Sequence, residues 1–119
     1  MNSLETAKLV AKALDDKKGL DIKILKIEDL TVIADYFVIA TGTSNTHVRA
    51  LAGEAEYLLE KEAGIKPLRE EGYDSGSWIL IDFNSVIVHV FQPSAREFYS
   101  LERLWADATP IDTEFLTEE

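Results

Sequence analysis

Within the apolar stretch Trp78 to Phe91 (WILIDFNSVIVHVF), the titratable side chains are Asp82 and His89. A carboxylate beside an imidazole is the orienting pair of a nucleophilic triad, and on adjacent strands the two would lie diagonally opposed, within reach of each other. The member they lack is an activated nucleophile. Ser77 and Ser85 stand in no distinguishing context, and the chain has no cysteine. A polar clasp, or a contact to a basic partner, is the better use of the pair. The other histidine, His47, falls on the polar side of a predicted helix, where solvation accounts for it. Glu70, Glu71, Asp74 and Asp82 form either an acidic rim or a solvated edge.

These residues are positioned by a predicted β-hairpin. Asn84-Ser85 suits a two-residue turn, because Asn tolerates a left-handed backbone. Such a turn pairs Phe83 with Val86, Ile81 with Val88 and Ile79 with Val90, all on one face. That face is pure core. The other holds Trp78 opposite Phe91, Leu80 opposite His89 and Asp82 opposite Ile87, and a chain of 119 residues has little core left to cover it. Two readings stand. A terminal helix carrying Phe98, Leu101, Leu104 and Trp105 packs over this face, or the face docks a partner, with Trp78 and Phe91 as anchors. The docking set is then Trp78, Leu80, Asp82, His89 and Phe91, with Glu70, Glu71, Tyr73 and Asp74 at the margin.

The surrounding elements follow from periodicity. Leu4, Ala7, Val10, Ala11 and Leu14 predict a first helix, with Ser3 as N-cap and Gly19 as stop. Asp21 to Glu28 reads as a strand whose apolar phase shifts at Leu25, the mark of a bulge or a change of cover. Tyr36 to Ala40 reads as an inner strand. Val48, Leu51, Ala52, Ala55, Leu58, Leu59 and Ala63 mark a second helix, closed by Gly64. Pro67 to Glu71 suits a short edge strand. After the hairpin, Ser94 with Glu97 has the form of a capping box opening a helix to Trp105. The order predicts a single α/β domain with a mixed sheet of about five strands. Residues 1–107 form the domain, and the acidic segment 108–119 is expected to be a loose tail.

Twelve basic against 22 acidic residues leave a net charge of −10. Bare nucleic acid would be repelled by such a surface, whereas a basic protein would be attracted. The absence of cysteine removes disulfides and thiolate metal sites. No apolar run reaches membrane-spanning length, and a cytoplasmic location is the simplest expectation.

Gly42-Thr43-Ser44, between a strand and a helix, resembles the opening of nucleotidyltransferase-type folds, which add two metal-binding acids on a later strand. Here that strand reads Leu80-Ile81-Asp82-Phe83-Asn84, with Leu80 and Asn84 where the second acid would stand. The fold is compatible; a two-metal site is not, unless folding brings Asp35 or Glu71 beside Asp82.

Three segments, ADYFVIATGTSNTHVRAL, EG…G-WILIDF and VIVHVFQPSAREFYSLERLW, resemble the ribosomal silencing factor (RsfS, or Iojap) family in content and order. The likeness runs from the first helix to about Asp107. It implies a small nucleotidyltransferase-like α/β domain that is not an enzyme and carries no cofactor or metal. The implied partner is the large ribosomal subunit, through its basic protein L-fourteen. Occupying that surface would block the small subunit and lower translation in starvation or stationary phase. The family also implies large-subunit assembly as an alternative role, and a homodimer when free. A nucleotide-dependent transferase of the same fold and a purely dimeric scaffold are the remaining alternatives.

Overall fold

The structure, a computed structural model, describes residues 1–117. Helix α1 (Ser3–Asp16) begins one residue earlier than Ser3 predicts as a cap. Asn2 is the cap, because Glu5 stands three residues on and completes a reciprocal box, with hydrogen bonds of 2.8 and 3.0 Å. Strand β1 (Leu20–Lys26) then runs antiparallel to β2 (Tyr36–Thr41), with a bulge between Leu20 and Lys23. The phase shift in β1 reflects cover on both sides. Ile24 packs into the helix-side core, and Leu25 and the following Ile27 into the cluster on the opposite face.

Helix α2 (Asn45–Ala63) is capped by Ser44 and closed by Gly64 in the left-handed region, as its stripe and glycine predict. It leads to the edge strand β3 (Arg69–Glu71), then the hairpin of β4 (Trp78–Asp82) and β5 (Val86–Phe91). A short helix α3 (Pro93–Tyr99) starts after Gln92, not at Ser94. Proline at its first position supplies the helical φ and has no N–H to satisfy, so the start lies there. Helix α4 (Leu101–Leu104) follows, and β6 (Thr109–Ile111) and a 3₁₀ turn (Glu114–Thr117) complete the described chain.

Among the described residues the sheet has six strands in the order β3-β4-β5-β2-β1-β6, one more than expected. Only β2 and β5 pair in parallel; the other neighbours are antiparallel. The additional strand lies in the segment expected to be loose. β6 pairs with β1 through Ile111, Pro110 and Thr109, and Ile111, Phe115 and Leu116 pack against the core beneath α1. The open edge of β1 needs partners for its backbone groups, and this segment supplies them. Glu118 and Glu119 lie outside the described residues. Helices α1 and α2 cover one face of the sheet, burying Val10, Leu14, Leu51 and Leu59 on Val38, Ile79, Ile81, Val88 and Val90.

Candidate functional site, a half-covered sheet face

The hairpin has the register expected from its turn. Asn84 takes a left-handed φ of 79°, and the Phe83 N–H donates to the Val86 carbonyl at 2.9 Å. The pairs are Trp78–Phe91, Ile79–Val90, Leu80–His89, Ile81–Val88 and Asp82–Ile87. Ile79, Ile81, Phe83, Val86, Val88 and Val90 all face the helices. Trp78, Leu80, Asp82, Ile87, His89 and Phe91 therefore share the other face.

That face is covered in part, and the cover reaches two members of the expected docking set. Phe91 is 0% exposed and His89 5%, so neither meets solvent. Trp78 and Leu80 remain half-buried. Trp78 lies on Phe91 at a ring separation of 5.0 Å and under Tyr99 at 4.5 Å. Its indole N–H donates to His89 Nδ1 at 3.1 Å. Burial holds the His89 imidazole well below its usual range, at about 4.

The terminal helix predicted to run to Trp105 breaks at Ser100, which takes φ 45°. The break splits its apolar stripe. Leu101 is buried and Trp105 packs edge-on against Phe37 at 5.3 Å, while Phe98 and Leu104 point outward, 80% and 73% exposed. Tyr99 against Trp78, and Phe98 against Tyr99, thus extend the apolar surface that the helix only partly covers. Arg96 fastens the break. It donates to Thr41 Oγ1 at 2.8 Å and to Glu102 at 3.0 Å, with only 10% of its side chain exposed. Although burial alone would raise the Glu102 carboxyl, the hydrogen bonds and charge of Arg96 hold it below the usual range. Arg96→Ala is expected to cost about 2 kcal/mol, discounted because Glu102 keeps some solvent. An unchanged urea midpoint would show that Arg96 is no clamp.

The margin is built from β3 and the turn after it. Glu70, Glu71 and Asp74 are exposed. A shallow depression of about 400 Å³ is lined by Glu70, Glu71, Gly72, Tyr73, Asp74 and Ser75. A second, of about 170 Å³, is lined by Glu71, Gly72, Trp78 and Leu80. The two share Glu71 and Gly72, so the apolar floor and the acidic rim adjoin. Arg49 on α2 pins the turn, donating to the Tyr73 and Asp74 carbonyls at 2.8 Å each. Tyr73 packs inward and donates its hydroxyl to Glu56. Burial, reinforced by a hydrogen bond with Glu70 and opposed by Tyr73, raises the Glu56 carboxyl to about 7.

Asp82 has a local role that the sequence reading missed. Its Oδ1 accepts the Asn84 N–H at 2.8 Å, which caps the hairpin turn. Glu71 reaches the same neighbourhood, but Arg69 stands with both acids, 3.4 Å from Glu71 and 3.9 Å from Asp82. That fixed positive charge opposes a divalent cation there. Among the described residues no group of three or more acidic or histidine side chains converges as metal ligands do. The Gly42 loop is likewise occupied. The Gly42 N–H donates to the Phe91 carbonyl and the Thr43 N–H to His47 Nδ1, at 2.8 and 2.9 Å. His47 Nε2 lies 2.8 Å from the Lys17 carbonyl, to which it donates; His47 is a tie between the loop and the end of α1, not a solvated side chain. A phosphate would have to displace these bonds.

Together these features define a small mixed α/β domain with an apolar, acid-bordered face on a sheet edge. A family model described as "Ribosomal silencing factor during starvation" matches residues 1–119, the C-terminal segment included. The chain belongs to the ribosomal silencing factor family. It is 41% identical to Ribosomal silencing factor RsfS of Bacillus subtilis over 115 residues, covering 97% of each chain. It is 34% identical to the chloroplastic protein Iojap of Zea mays, spanning 97% of this chain and half of that one. It is 31% identical to mouse Mitochondrial assembly of ribosomal large subunit protein 1, over 82% of this chain and 43% of that protein. A crystal structure of a Chromobacterium violaceum protein superposes with a TM-score of 0.86 at 41% identity, covering 95% of this chain and 93% of that one. No helix among the described residues is long and apolar enough to cross a membrane.

Proposed function

We propose that this protein is a cytoplasmic translational repressor that binds the large ribosomal subunit through its basic protein L-fourteen and sterically blocks joining of the small subunit. The observation that carries this reading is the pair of adjoining depressions around Glu71 and Gly72, one floored by Trp78 and Leu80, the other rimmed by acids. An apolar centre with a charged margin is the anatomy of a specific protein interface. The net charge of −10 favours a basic partner and raises its rate of encounter. The names of the bacterial relatives support silencing, and that of the mouse relative supports a second use of the same docking, in large-subunit assembly.

No bond chemistry is required. The bound domain occupies volume that the small subunit needs, which accords with an Asp82 committed to a turn and a loop whose Gly42 and Thr43 N–H groups are already hydrogen-bonded. Of the nine residues expected in the contact set, Trp78, Leu80, Glu70, Glu71 and Asp74 are the ones we assign to direct contact. His89 and Phe91 lie beneath them, Tyr73 braces the turn, and Asp82 stabilises the hairpin end. Tyr99 and Phe98 join the surface.

The test mixes purified large and small subunits with saturating protein and follows association by light scattering. Association is expected to fall. Trp78→Ala should raise the rate of dissociation from L-fourteen on the order of thirtyfold, the behaviour of a central aromatic anchor. Glu71→Lys should slow association, and it is a cleaner charge reversal than Asp82→Lys because Asp82 also caps the turn. Unimpaired subunit joining at saturation would overturn the proposal.

A further inference from the structure

His89 is placed where an apolar residue would serve the core better. It is 5% exposed, packed edge-on to Phe37 at 4.8 Å and parallel to Phe91 at 6.1 Å. Because Nδ1 accepts the Trp78 indole N–H at 3.1 Å, the ring proton must reside on Nε2. That Nε2 is buried and has no hydrogen-bond partner among the described residues. An unsatisfied buried donor destabilises a fold, and a phenylalanine at this position would remove it. The imidazole supplies one thing that Phe or Leu does not: an acceptor for Trp78. Phe37 and Phe91 fix the direction in which it is offered.

We propose that His89 is a positioning residue for docking: it holds the half-buried Trp78 in one indole orientation, so that Trp78 presents a ready-made wall of the depression it shares with Glu71 and Leu80. The inference rests on the docking reading above and deepens it. A side chain ordered before binding loses less conformational freedom when the partner arrives, an effect worth roughly two- to tenfold in affinity for one large side chain. Trp78 is already clamped between Phe91 below and Tyr99 above. Stacking alone does not distinguish the indole from its flip about χ2, and the hydrogen bond to His89 selects one of the two.

Two substitutions separate positioning from packing. His89→Phe keeps a ring and deletes both the acceptor and the orphan donor. His89→Asn keeps an acceptor near the place of Nδ1 and loses packing volume. The readouts are thermal stability, the ¹H–¹⁵N resonance and solvent exchange of the Trp78 indole (assigned with Trp105→Phe), and Kd for isolated L-fourteen. His89→Phe is expected to be at least as stable as the wild type at neutral pH, yet to show a fast-exchanging Trp78 indole and a Kd raised about fivefold. His89→Asn is expected to be less stable but to keep a protected indole and a Kd within about twofold of wild type. A purely structural histidine would give the reverse order, with binding following stability. A protected indole in His89→Phe, or wild-type affinity with the indole freed, overturns the proposal. Should His89→Phe not fold, Trp78→Phe removes the donor instead and is expected to raise Kd likewise; unchanged affinity there would be equally decisive against it. If the wild type itself does not bind L-fourteen, the docking reading fails, while the indole exchange still reports whether His89 orders Trp78.

Discussion

Gly72→Ala is expected to lower stability by about 3 kcal/mol and to detach β3 from the sheet. Gly72 has φ 94°, and a Cβ there would lie 2.0 Å from the Trp78 carbonyl oxygen and 3.0 Å from its carbon. Both are backbone atoms, so relief requires the whole turn to move. The turn has little freedom to do so, since Arg49 holds two of its carbonyls and Gly76 sits against Asn45 of α2. Strand β3 has three residues, all exposed, paired as Arg69–Asp82, Glu70–Ile81 and Glu71–Leu80. With no burial of its own, it survives only while the turn delivers it to β4. Amide exchange at Glu70 and Glu71, with urea denaturation, measures the effect. Gly53→Ala is the control: it lies in α2 with nothing within 4 Å of an added Cβ, and should stabilise by up to about 1 kcal/mol. Unaltered β3 protection in Gly72→Ala would refute the account. Because Gly72 and Glu71 line both depressions, L-fourteen binding is expected to weaken together with β3 pairing.

Acid is expected to destabilise the wild type by about 3 kcal/mol through His89 alone. The folded protein holds this imidazole at about 4, below the usual 6.5, because burial disfavours its charged form. Between those values the unfolded chain binds the proton and the folded protein does not. The contribution is therefore fully present above pH 6.5 and is lost as pH falls toward 4. Glu56 works in the opposite sense. Its carboxyl is raised to about 7 from 4.5, so its contribution is present at low pH and lost as pH rises through that interval. Glu56 is only half-buried, and screening by the remaining solvent reduces its part. Urea denaturation across pH 4 to 7 is expected to show a falling stability limb that disappears in His89→Phe and steepens in Glu56→Gln. An equally steep acid limb in His89→Phe would assign the transition to other groups.

The hairpin register, the two principal helices and the edge position of β3 were legible because their causes are local. A two-residue turn with Asn at its left-handed position, and strict alternation on either side, leave one register that keeps six apolar residues together. The contents of the second face were legible for the same reason; its exposure was not. Whether Trp78 and Phe91 meet solvent depends on where the last helix breaks, and Ser100 at φ 45° is no helix stop by residue type. The reach of Arg96 to Thr41, across the fold, accompanies the break and holds its two sides. His47 was misread likewise, since its partner, the Lys17 carbonyl, is thirty residues away in sequence.

By itself, then, the chain determined which residues share a face, where the turns fall, the sign of the surface, and that Asp82 lacks a neighbouring acid in its own strand. These follow from periodicity, turn stereochemistry and charge, none of which needs a distant contact. Only the tertiary structure decided that Trp78 is half-buried and hydrogen-bonded to a buried histidine, that Arg69 stands with Glu71 and Asp82, and that the acidic segment after Asp107 closes the β1 edge. Each of these depends on elements far apart in sequence meeting at atomic distance. Alternation says which side of a sheet a residue faces, but what covers that side is settled by packing.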